Sequence, residues 1–344
     1  MLAGVWRFAR PSSQRVTVPK ISVVIPTYNG GARLLATIAS VQAQTAPAHQ
    51  IIVVDDGSTD ATPALCQAPG LAMDYIRVEN GGQQRARNTG AAHATGDWIA
   101  LLDHDDLWHP EYLAELSAFL TGHDAGLVIA NGENAREAAD GRIVIEDPSR
   151  LTSHAPDGYW RAMGADPAAR WSLLPRYDYA GYLAFHPCQP SVTAVNAAFY
   201  RTIGGFDERM RGSSAENFEF EIRALRQARV GLLWRPLVTI VNHGANAGAD
   251  GGKMAMDLVH ALTFALAHHG LTAGQAASVA AARRFRLPDA IAAGFAAGEF
   301  AALATWRPML THEAGLKTRL KCAIARLPLP LARAAAAVCL AWGR

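Results

Sequence analysis

The stretch that most constrains the fold is an apolar run that ends abruptly in three carboxylates. Trp98–Leu102 has the length and composition of a β-strand buried on both faces. Asp103, Asp105 and Asp106 follow it directly, and Pro110 suits the first turn of a helix that begins after them. The acids therefore lie where a central strand stops and a loop starts.

Closely spaced carboxylates at such a place favour a divalent cation. In an open parallel sheet, ligands bind beyond the carboxyl ends of the strands. Like charges this close repel one another, and a hard cation neutralises them; oxygen ligands suit Mg²⁺ or Mn²⁺. The alternative is a solvated acidic turn, but the apolar strand that leads directly into the acids favours the cation.

Alternating strand and helix patterns predict an α/β fold with a Rossmann-like, mostly parallel sheet flanked by helices. The patterns that indicate strands in the first part of the chain are Ile21–Pro26, Gln50–Val54, Met73–Val78, Trp98–Leu102 and Ala125–Ala130. We also expect a strand over Ser191–Tyr200, and an edge or bent strand over Val230–Val241 because of Pro236. From Lys253 onward the chain is alanine-rich and predicted helical, with breaks that include one at Pro288.

Composition indicates an ordinary globular enzyme. The 344 residues are 50% hydrophobic and 18% charged with a formal net charge of +2, so nucleic acid is not an expected partner. The four cysteines lack the spacing of a zinc site or a disulfide framework, which predicts a reducing, cytoplasmic location. We find no signal-peptide pattern near the start, and no apolar run of about eighteen residues that would predict a spanning helix.

Polar groups follow three of the predicted strands, at Thr27–Asn29, Asp55–Ser58 and Asp103–Asp106. Because parallel strands point the same way, these ends would share one edge of the sheet. A carboxylate after the second strand can accept hydrogen bonds from a ribose or a base. Arg85 and Arg87, which follow glycines at a predicted helix start, can bind phosphate. Together these groups suit a nucleoside diphosphate.

Four segments resemble motifs of the family 2 glycosyltransferases, in that family's order. They are Ile25–Asn29, Val54–Asp60, Ala86–Gly90 and Leu102–Pro110. The resemblance covers roughly residues 20–245. It implies an inverting transferase of the A-type nucleotide-sugar fold, which uses Mg or Mn and most commonly a UDP-sugar. The acceptor would be a hydroxyl of a glycan or of a lipid-linked molecule, as in polysaccharide biosynthesis of the cell envelope.

The sequence pattern and the resemblance together predict a domain organisation. Residues 1–19 would form an N-terminal arm, and residues 251–344 an α-helical C-terminal region. Residues 20–250 would form the catalytic domain. Within it, residues 20–120 would bind the nucleotide sugar and residues 121–250 would supply the acceptor side.

On the donor side, the resemblance implies roles for individual residues. Thr27 and Tyr28 would line the nucleoside pocket, and Asp56 would contact the base or the ribose. Arg87 would support the donor pocket. Asp103 would bind the ribose or metal-bound water.

The implied metal site draws on the aspartate motif, which is Asp103–Asp106, and on a later histidine. Asp105 is the expected direct ligand, with Asp103 close to the ion. His243, at the end of a predicted strand, resembles the histidine that completes the metal site or contacts the diphosphate in many relatives. Asp106 is expected instead to accept hydrogen bonds from backbone N–H groups of the following turn.

The expected catalytic base departs from the family pattern. The family usually has Glu-Asp at the start of its catalytic helix, whereas this chain has Glu216-Asn217. An Asn side chain cannot accept a proton at neutral pH, so Asn217 would only position a hydroxyl. Glu216 is the first candidate base, with Glu219 behind it. Two alternatives stay open: Glu216 is part of a capping box that begins at Ser213, or the chain binds nucleotide sugars without turnover.

The sequence disfavours a nucleotidyltransferase. A nucleotidyltransferase would normally need a basic, glycine-rich triphosphate loop, and Pro26–Gly31 has no basic residue.

Aromatic residues in the irregular segment before the acceptor side have two interpretations. Sugar rings stack on aromatic side chains, so these residues could form a wall that binds the acceptor; ordinary core packing is the alternative. The residues are Trp160, Trp171, Tyr177, Tyr179 and Tyr182.

The tail over residues 317–344 contains six basic residues and no acid, with leucines between them and Trp342 near its end. Such a basic amphipathic segment is typical of peripheral contact with an anionic membrane, here at the inner face. The alternative is a helix docked on the protein with a charged outer face.

Overall fold

The chain divides into two structural units, seen in a computed structural model that describes residues 18–243, 251–310 and 315–342. The first unit is residues 1–212 with 216–245, and the second is residues 213–215 with 246–344. Residues 1–17 of the expected N-terminal arm lie outside the described residues.

Ten strands, among the described residues, form one sheet in the first unit. They are β1 (Ile21–Thr27), β2 (Gln50–Asp55), β3 (Asp74–Arg77), β4 (Trp98–Leu101), β5 (Leu107–Trp108), β6 (Leu127–Glu137), β7 (Ile143–Asp147), β8 (Trp171–Leu174), β9 (Thr193–Asn196) and β10 (Val230–Asn242).

The helices of the first unit connect these strands. They are α1 (Gly31–Gln42), α2 (Thr62–Cys66), α3 (Gln83–His93), α4 (Tyr112–Gly122), α5 (Arg150–Ser153), α6 (Tyr159–Ala162), α7 (Tyr179–Ala184), α8 (Ala197–Thr202) and α9 (Glu216–Ala224). Short 3₁₀ helices lie at Pro190–Val192 and Glu208–Met210.

The sheet is mixed, with the strand order β3-β2-β1-β4-β9-β6-β10-β5. The first four strands of the chain, β1 to β4, are parallel. β9 runs antiparallel to both β4 and β6, while β10 is parallel to β6. β7 and β8 pair antiparallel with β6 and β10. The α/β class is confirmed. The part of the sheet that precedes the aspartate motif is all parallel, and the later part combines parallel and antiparallel pairs.

The inner strands are hydrophobic because helices cover both faces of the sheet. All seven residues of β1 and all four of β4 are buried. α3 packs unusually close to β1 at Gly90, where an added Cβ would lie 2.4 Å from Cγ1 of Val24. A glycine is therefore required at this contact, and it sets the distance between α3 and the sheet.

One predicted strand is shorter in the structure, and the strand predicted to be irregular at Pro236 is present as β10. Ser191–Tyr200 is a strand only over β9, because the Asn196 side chain accepts hydrogen bonds from the N–H groups of Ala198 and Phe199 and so starts α8. β10 passes Pro236 inside the sheet. It shifts register on both sides of Pro236, which falls between the segments paired with β8 and with β5.

The second unit is helical in its described part. Its helices are α10 (Gly251–His268), α11 (Ala273–Ala297), α12 (Phe300–Trp306), α13 (Leu316–Ile324) and α14 (Leu329–Trp342), with a 3₁₀ turn at Arg307–Met309. The predicted break at Pro288 is wrong, since α11 continues through it. Buried Leu287, Ala290 and Ile291 flank the proline, and their packing in the core of this unit offsets the lost backbone hydrogen bond.

Candidate active site

The polar ends of β1, β2 and β4 lie side by side at one edge of the sheet, as the sequence predicts. Thr27 pairs with Asp55, and Val24 pairs with Leu101 just before the aspartate motif. The loops after β1 and β2 are joined by Asn29, whose side-chain oxygen accepts a 2.8 Å hydrogen bond from the Thr59 N–H. This edge is therefore a connected surface.

Thr27 and Tyr28, the predicted nucleoside-pocket residues, differ in exposure at this edge. Tyr28 is 46% exposed, whereas Thr27 is buried. The Thr27 hydroxyl oxygen has no hydrogen-bond partner among the described residues. A buried hydroxyl without a partner is costly, so this atom is a suitable contact for a ligand.

Asp56 fixes the start of α3. Its two carboxylate oxygens accept hydrogen bonds of 2.7 and 2.8 Å from the N–H groups of Gly81 and Gly82. The first turn of a helix leaves N–H groups that need acceptors, and a carboxylate there is favoured by the helix dipole. Asp56 therefore supplies an internal anion at the place where the sequence suggested a phosphate.

Arg87 connects the two halves of the site. Its Nη2 donates to Oδ1 of Asp103 at 2.7 Å, and its Nη1 donates to Oε1 of Glu216 at 3.1 Å. The side chain is fully buried and lies over the ring of Phe206. Burial alone would lower the pKa of Arg87, but the carboxylates of Asp103 and Glu216 raise it above its usual value. Arg87 is thus a permanent cation between Asp103 of the aspartate motif and Glu216 at the start of α9.

Glu216 is held by the donor half of the site. Besides Arg87, Nε2 of Gln83 donates to its Oε1 at 2.6 Å. The other oxygen, Oε2, is buried and has no hydrogen-bond partner among the described residues. Burial raises the pKa of Glu216, and Arg87 opposes part of that rise. In this position Oε1 of Glu216 holds the Arg87 guanidinium in place. Its Oε2 is left available to a substrate.

Two further polar residues of α9, Asn217 and Glu219, differ in their hydrogen-bond partners. Oδ1 of Asn217 is buried without a hydrogen-bond partner among the described residues. Glu219, the second candidate base, is fully buried and forms a two-pronged ion pair with Arg223. Arg223 in turn donates to the carbonyl of Gly205, so Glu219 fixes the turn before α9.

Of the three residues predicted to bind a metal, Asp105 and His243 contact each other and Asp103 does not join them. Oδ2 of Asp105 and Nε2 of His243 lie 2.9 Å apart, and both side chains are largely buried. Asp103 instead turns towards Arg87. Residues 244–250, which follow His243, lie outside the described residues.

Asp106 anchors the aspartate loop, which is the segment Asp103–Asp106 after β4. Its Oδ1 accepts from the N–H of Val241 in β10 at 2.9 Å, and its Oδ2 accepts from the Ser191 hydroxyl at 2.5 Å. The Ser191 hydroxyl also accepts from the Asp103 N–H at 3.0 Å. Burial, followed by the charges of Asp105 and Asp103, raises the pKa of Asp106 well above its usual value. Asp106 does accept a backbone hydrogen bond, but from β10 rather than from the following turn.

The site fits a divalent cation that binds together with a substrate. Among residues 18–243, 251–310 and 315–342 there is no group of three or more His, Cys, Asp or Glu side chains able to hold a metal ion. The 2.9 Å between the atoms of Asp105 and His243 is close to the spacing of two adjacent ligands with metal bonds of about 2.1 Å. Two protein ligands leave room for phosphate oxygens and water, which is how Mg²⁺ usually binds.

The aromatic residues suggested as an acceptor wall are mostly core residues. Trp160, Tyr177 and Tyr182 are buried. The indole N–H of Trp160 donates to the Leu151 carbonyl, and its ring meets that of Trp234 edge to face. Core packing therefore accounts for these three rings.

The sequence did not indicate two of the residues that assemble the site. Ser191 joins Asp103 to Asp106, and Gln83 joins α3 to Glu216. Gln83 is recognisable only by its place one helical turn before Arg87. No pattern around Ser191 marks it as a partner of the aspartate loop.

Comparison with known proteins supports the resemblance. Residues 22–150 match the family model described as Glycosyl transferase family 2. Glycosyltransferase GlyG of Streptococcus pneumoniae serotype 4 is 37% identical over 122 residues, which are 34% of this chain and 40% of GlyG. The uncharacterized glycosyltransferase YwdF of Bacillus subtilis strain 168 is 26% identical over 238 residues, which are 68% of this chain and 79% of YwdF. The chain thus spans less than half the length of GlyG.

Solved structures of S. aureus TarS share the fold. The crystal structure of TarS 1-349 in complex with UDP matches with a TM-score of 0.60 and 18% identity, over 94% of this chain and 92% of that one. The complex of TarS 1-349 with UDP-GlcNAc matches with a TM-score of 0.59 over 92% and 87%. The α/β fold with a helical C-terminal region is thereby confirmed. Residues 22–150 of this chain are a glycosyl transferase family 2 domain.

Proposed function

We propose that the chain transfers a sugar from a nucleoside-diphosphate sugar to a hydroxyl of a glycan or lipid-linked acceptor, with inversion at the anomeric carbon. The family 2 domain supports glycosyl transfer. TarS, which shares the fold, binds UDP and UDP-GlcNAc in its crystal structures, so UDP-sugars are the first donors to test. The observation that carries the proposal is the buried chain of contacts from Asp103 through Arg87 to Glu216.

The donor would bind at the carboxyl edge of β1, β2 and β4. Thr27 and Tyr28 would contact the nucleoside, with the unpartnered Thr27 hydroxyl as one hydrogen-bonding group. Asp56 would act by fixing the loop that leads into α3. Arg87 would hold the Asp103 carboxylate in one orientation, ready for the ribose or for metal-bound water.

Asp105 and His243 would hold a Mg²⁺ or Mn²⁺ ion. When bound, the ion would stabilise the charge that develops on the leaving diphosphate. Asp106, Ser191 and the N–H of Val241 would keep the aspartate loop in place throughout. A loop held by two partners, Ser191 and Val241, is preorganised, and preorganised charges cost no rearrangement during the reaction.

Glu216 is our candidate for the group that takes the proton from the acceptor hydroxyl. Gln83 and Arg87 hold its Oε1, which leaves Oε2 for the hydroxyl. Burial raises its pKa, which makes the carboxylate a stronger base. If Glu216 is the base, Glu216→Gln should remove the acidic limb of the kcat/KM profile against pH. A purely supporting role would lower turnover equally across that range.

A second candidate function is binding of nucleotide sugars without turnover. It is favoured by one observation, Asn217 at the position where the family usually has Asp. Such a protein would show cation-dependent affinity for the donor and yield no transferred or hydrolysed sugar.

The deciding experiment is a thermal-shift panel of nucleotide sugars with and without Mn²⁺, because a ligand that binds the folded state raises its melting temperature. We expect one nucleotide sugar to raise the midpoint, and Mn²⁺ to enlarge the rise. The donor found in this way is then incubated with acceptors, and the anomer of the product is read by NMR. If no nucleotide sugar raises the midpoint with any divalent cation, the proposal is wrong.

A further inference from the structure

Helix α13 presents an apolar stripe to its surroundings. Leu316 and Leu320 are 82% and 51% exposed, and exposed Ala323 continues the stripe at helical spacing. Leu327, just beyond the end of α13, is also exposed. On the opposite side of α13, Cys322 packs in the core of the helical unit. One side of the helix is therefore used for folding, and the leucine side is not.

Helix α14 repeats this arrangement. Ala332 and Ala336 are buried in the core of the helical unit. On another face, Leu331 and Val338 are more than half exposed, with exposed Ala334 between them. A helix that merely docks on a protein normally has a polar outer face. The apolar outer face of α14 is not explained by docking alone.

These exposed apolar groups are concentrated in one segment. The large hydrophobic side chains that are exposed in the described part of the chain number eleven, and six of them lie between residues 316 and 338. Scattered exposed apolar residues need no explanation, but a cluster of this kind marks an interaction surface.

The same segment is strongly basic. Residues 315–342 contain no Asp or Glu and five basic residues, which are Lys317, Arg319, Lys321, Arg326 and Arg333. Lys317 and Arg319 are exposed on either side of the leucine stripe of α13. Long basic side chains beside an apolar stripe can reach anionic groups while their methylene stems stay on the apolar surface.

We propose that α13 and α14 dock on the interface of an anionic lipid bilayer. The leucines would enter the boundary between headgroups and acyl chains, and the basic side chains would contact anionic headgroups. Across the described residues no helix is long and apolar enough to cross a membrane, so the contact we propose is a surface contact. A second copy of this chain would bring like charges together, which disfavours self-association as the use of this surface. The proposal does not depend on the donor chemistry.

The test is flotation of the full chain with lipid vesicles. We expect binding to phosphatidylcholine vesicles that contain phosphatidylglycerol, weak binding to phosphatidylcholine alone, and loss of binding at high salt. The double substitution Leu316→Ser/Leu320→Ser should weaken binding at least about tenfold, since each side chain loses apolar area at the interface. The matched control is Ile143→Ser/Ile145→Ser, which changes two exposed apolar residues of β7 and should bind like the parent.

A second pair of variants tests the charges. Lys317→Gln/Arg319→Gln should weaken binding to the anionic vesicles about thirtyfold, from about 1 kcal/mol for each cation near the surface. Arg142→Gln, at an exposed arginine elsewhere, should have no effect. The proposal is overturned if the parent chain does not float with anionic vesicles at low salt, or if both control variants lose as much binding as the test variants. It is also overturned if the parent is a dimer that the leucine substitutions make monomeric while vesicle binding is unchanged. The donor thermal shift of each variant reports separately on the folded donor site.

Discussion

Nη1 of Arg87 lies 3.1 Å from Oε1 of Glu216, a residue 129 positions further along the chain. The two side chains are 1% and 2% exposed, so the ion pair is shielded from water. The pair joins α3, which carries Arg87, to α9, which begins with the candidate base Glu216. Donor-side and acceptor-side residues are thus parts of a single buried network.

Replacing Arg87 should strongly destabilise the fold. Arg87→Ala leaves the Glu216 carboxylate buried without its cation, which typically costs about 3–5 kcal/mol of the free energy of unfolding. Arg85→Ala, at an exposed arginine two positions earlier, should change it by less than about 0.5 kcal/mol. Urea unfolding of the parent chain and of the two variants measures both changes in the free energy of unfolding. Similar midpoints for the two variants would mean that the Arg87 network contributes little.

Asp105 should matter more to turnover than Glu216. Asp105→Ala removes the proposed cation ligand and should lower turnover by about a thousandfold, because electrostatic stabilisation of the leaving group is the larger effect. Glu216→Gln should cost about a hundredfold. Asp140→Ala, at an exposed aspartate, is the control. Turnover of Asp105→Ala equal to that of the parent would contradict this order.

Chelation should separate folding from donor binding. Addition of EDTA should abolish the Mn²⁺-dependent part of the donor thermal shift, and should leave the melting temperature of the ligand-free chain nearly unchanged. The reason is that Oδ2 of Asp105 and Nε2 of His243 lie 2.9 Å apart, within hydrogen-bond distance, so the two side chains can pair directly with each other. A large fall in the melting temperature of the ligand-free chain would indicate a structural metal instead.

Glu221 should make stability depend on pH. It accepts a hydrogen bond from the Tyr182 hydroxyl, and burial raises its pKa from 4.5 to about 8. Between these values the folded chain keeps a proton that the unfolded chain releases, so the contribution of Glu221 to stability falls as pH rises through this window. Glu221→Gln cannot ionise and should lose less stability between about pH 5 and about pH 8. Urea unfolding at both pH values checks this, and parallel losses in the two proteins would refute it.

Gly90 should be intolerant of any side chain. Gly90→Ala would place a methyl group 2.4 Å from Cγ1 of Val24, and the resulting displacement of α3 should cost about 1–3 kcal/mol. Gly122→Ala is the matched control, since its Cβ would meet nothing within 4 Å. Thermal unfolding should show a lower midpoint for the first variant alone. Equal midpoints would mean that α3 can shift away from the sheet at no cost.

The first half of the fold was readable from the sequence because its strands are short apolar runs that end in polar groups. β1, β2 and β4 begin and end within a residue or two of their predicted limits. Their adjacency brings Thr27, Asp55 and the aspartate motif to one edge, as parallel strands require. The hydrophobic pattern of each strand and the geometry of a parallel sheet agree here. The local sequence is therefore sufficient to predict these strands and the edge at which their polar ends lie.

The rest depends on contacts between distant residues. The pairing of Arg87 with Glu216 has no local signature, and a capping box was an equally good interpretation of Glu216. Asp56 suggested a ligand contact, whereas both of its oxygens accept hydrogen bonds from the backbone N–H groups of Gly81 and Gly82, just before α3. The strand prediction over Ser191–Tyr200 failed because Asn196, a good N-cap residue, starts a helix inside an apolar stretch.

The hydrogen bonds of Asp106 also bear on how the site comes into being. Its partners Ser191 and Val241 lie 85 and 135 residues further along the chain. During synthesis, the segment that carries the family motifs therefore leaves the ribosome well before the residues that hold its aspartate loop. Contacts of such long sequence separation form late and slow folding. A fragment that ends at residue 150 would contain every motif by which the family is recognised and would still lack a finished donor site.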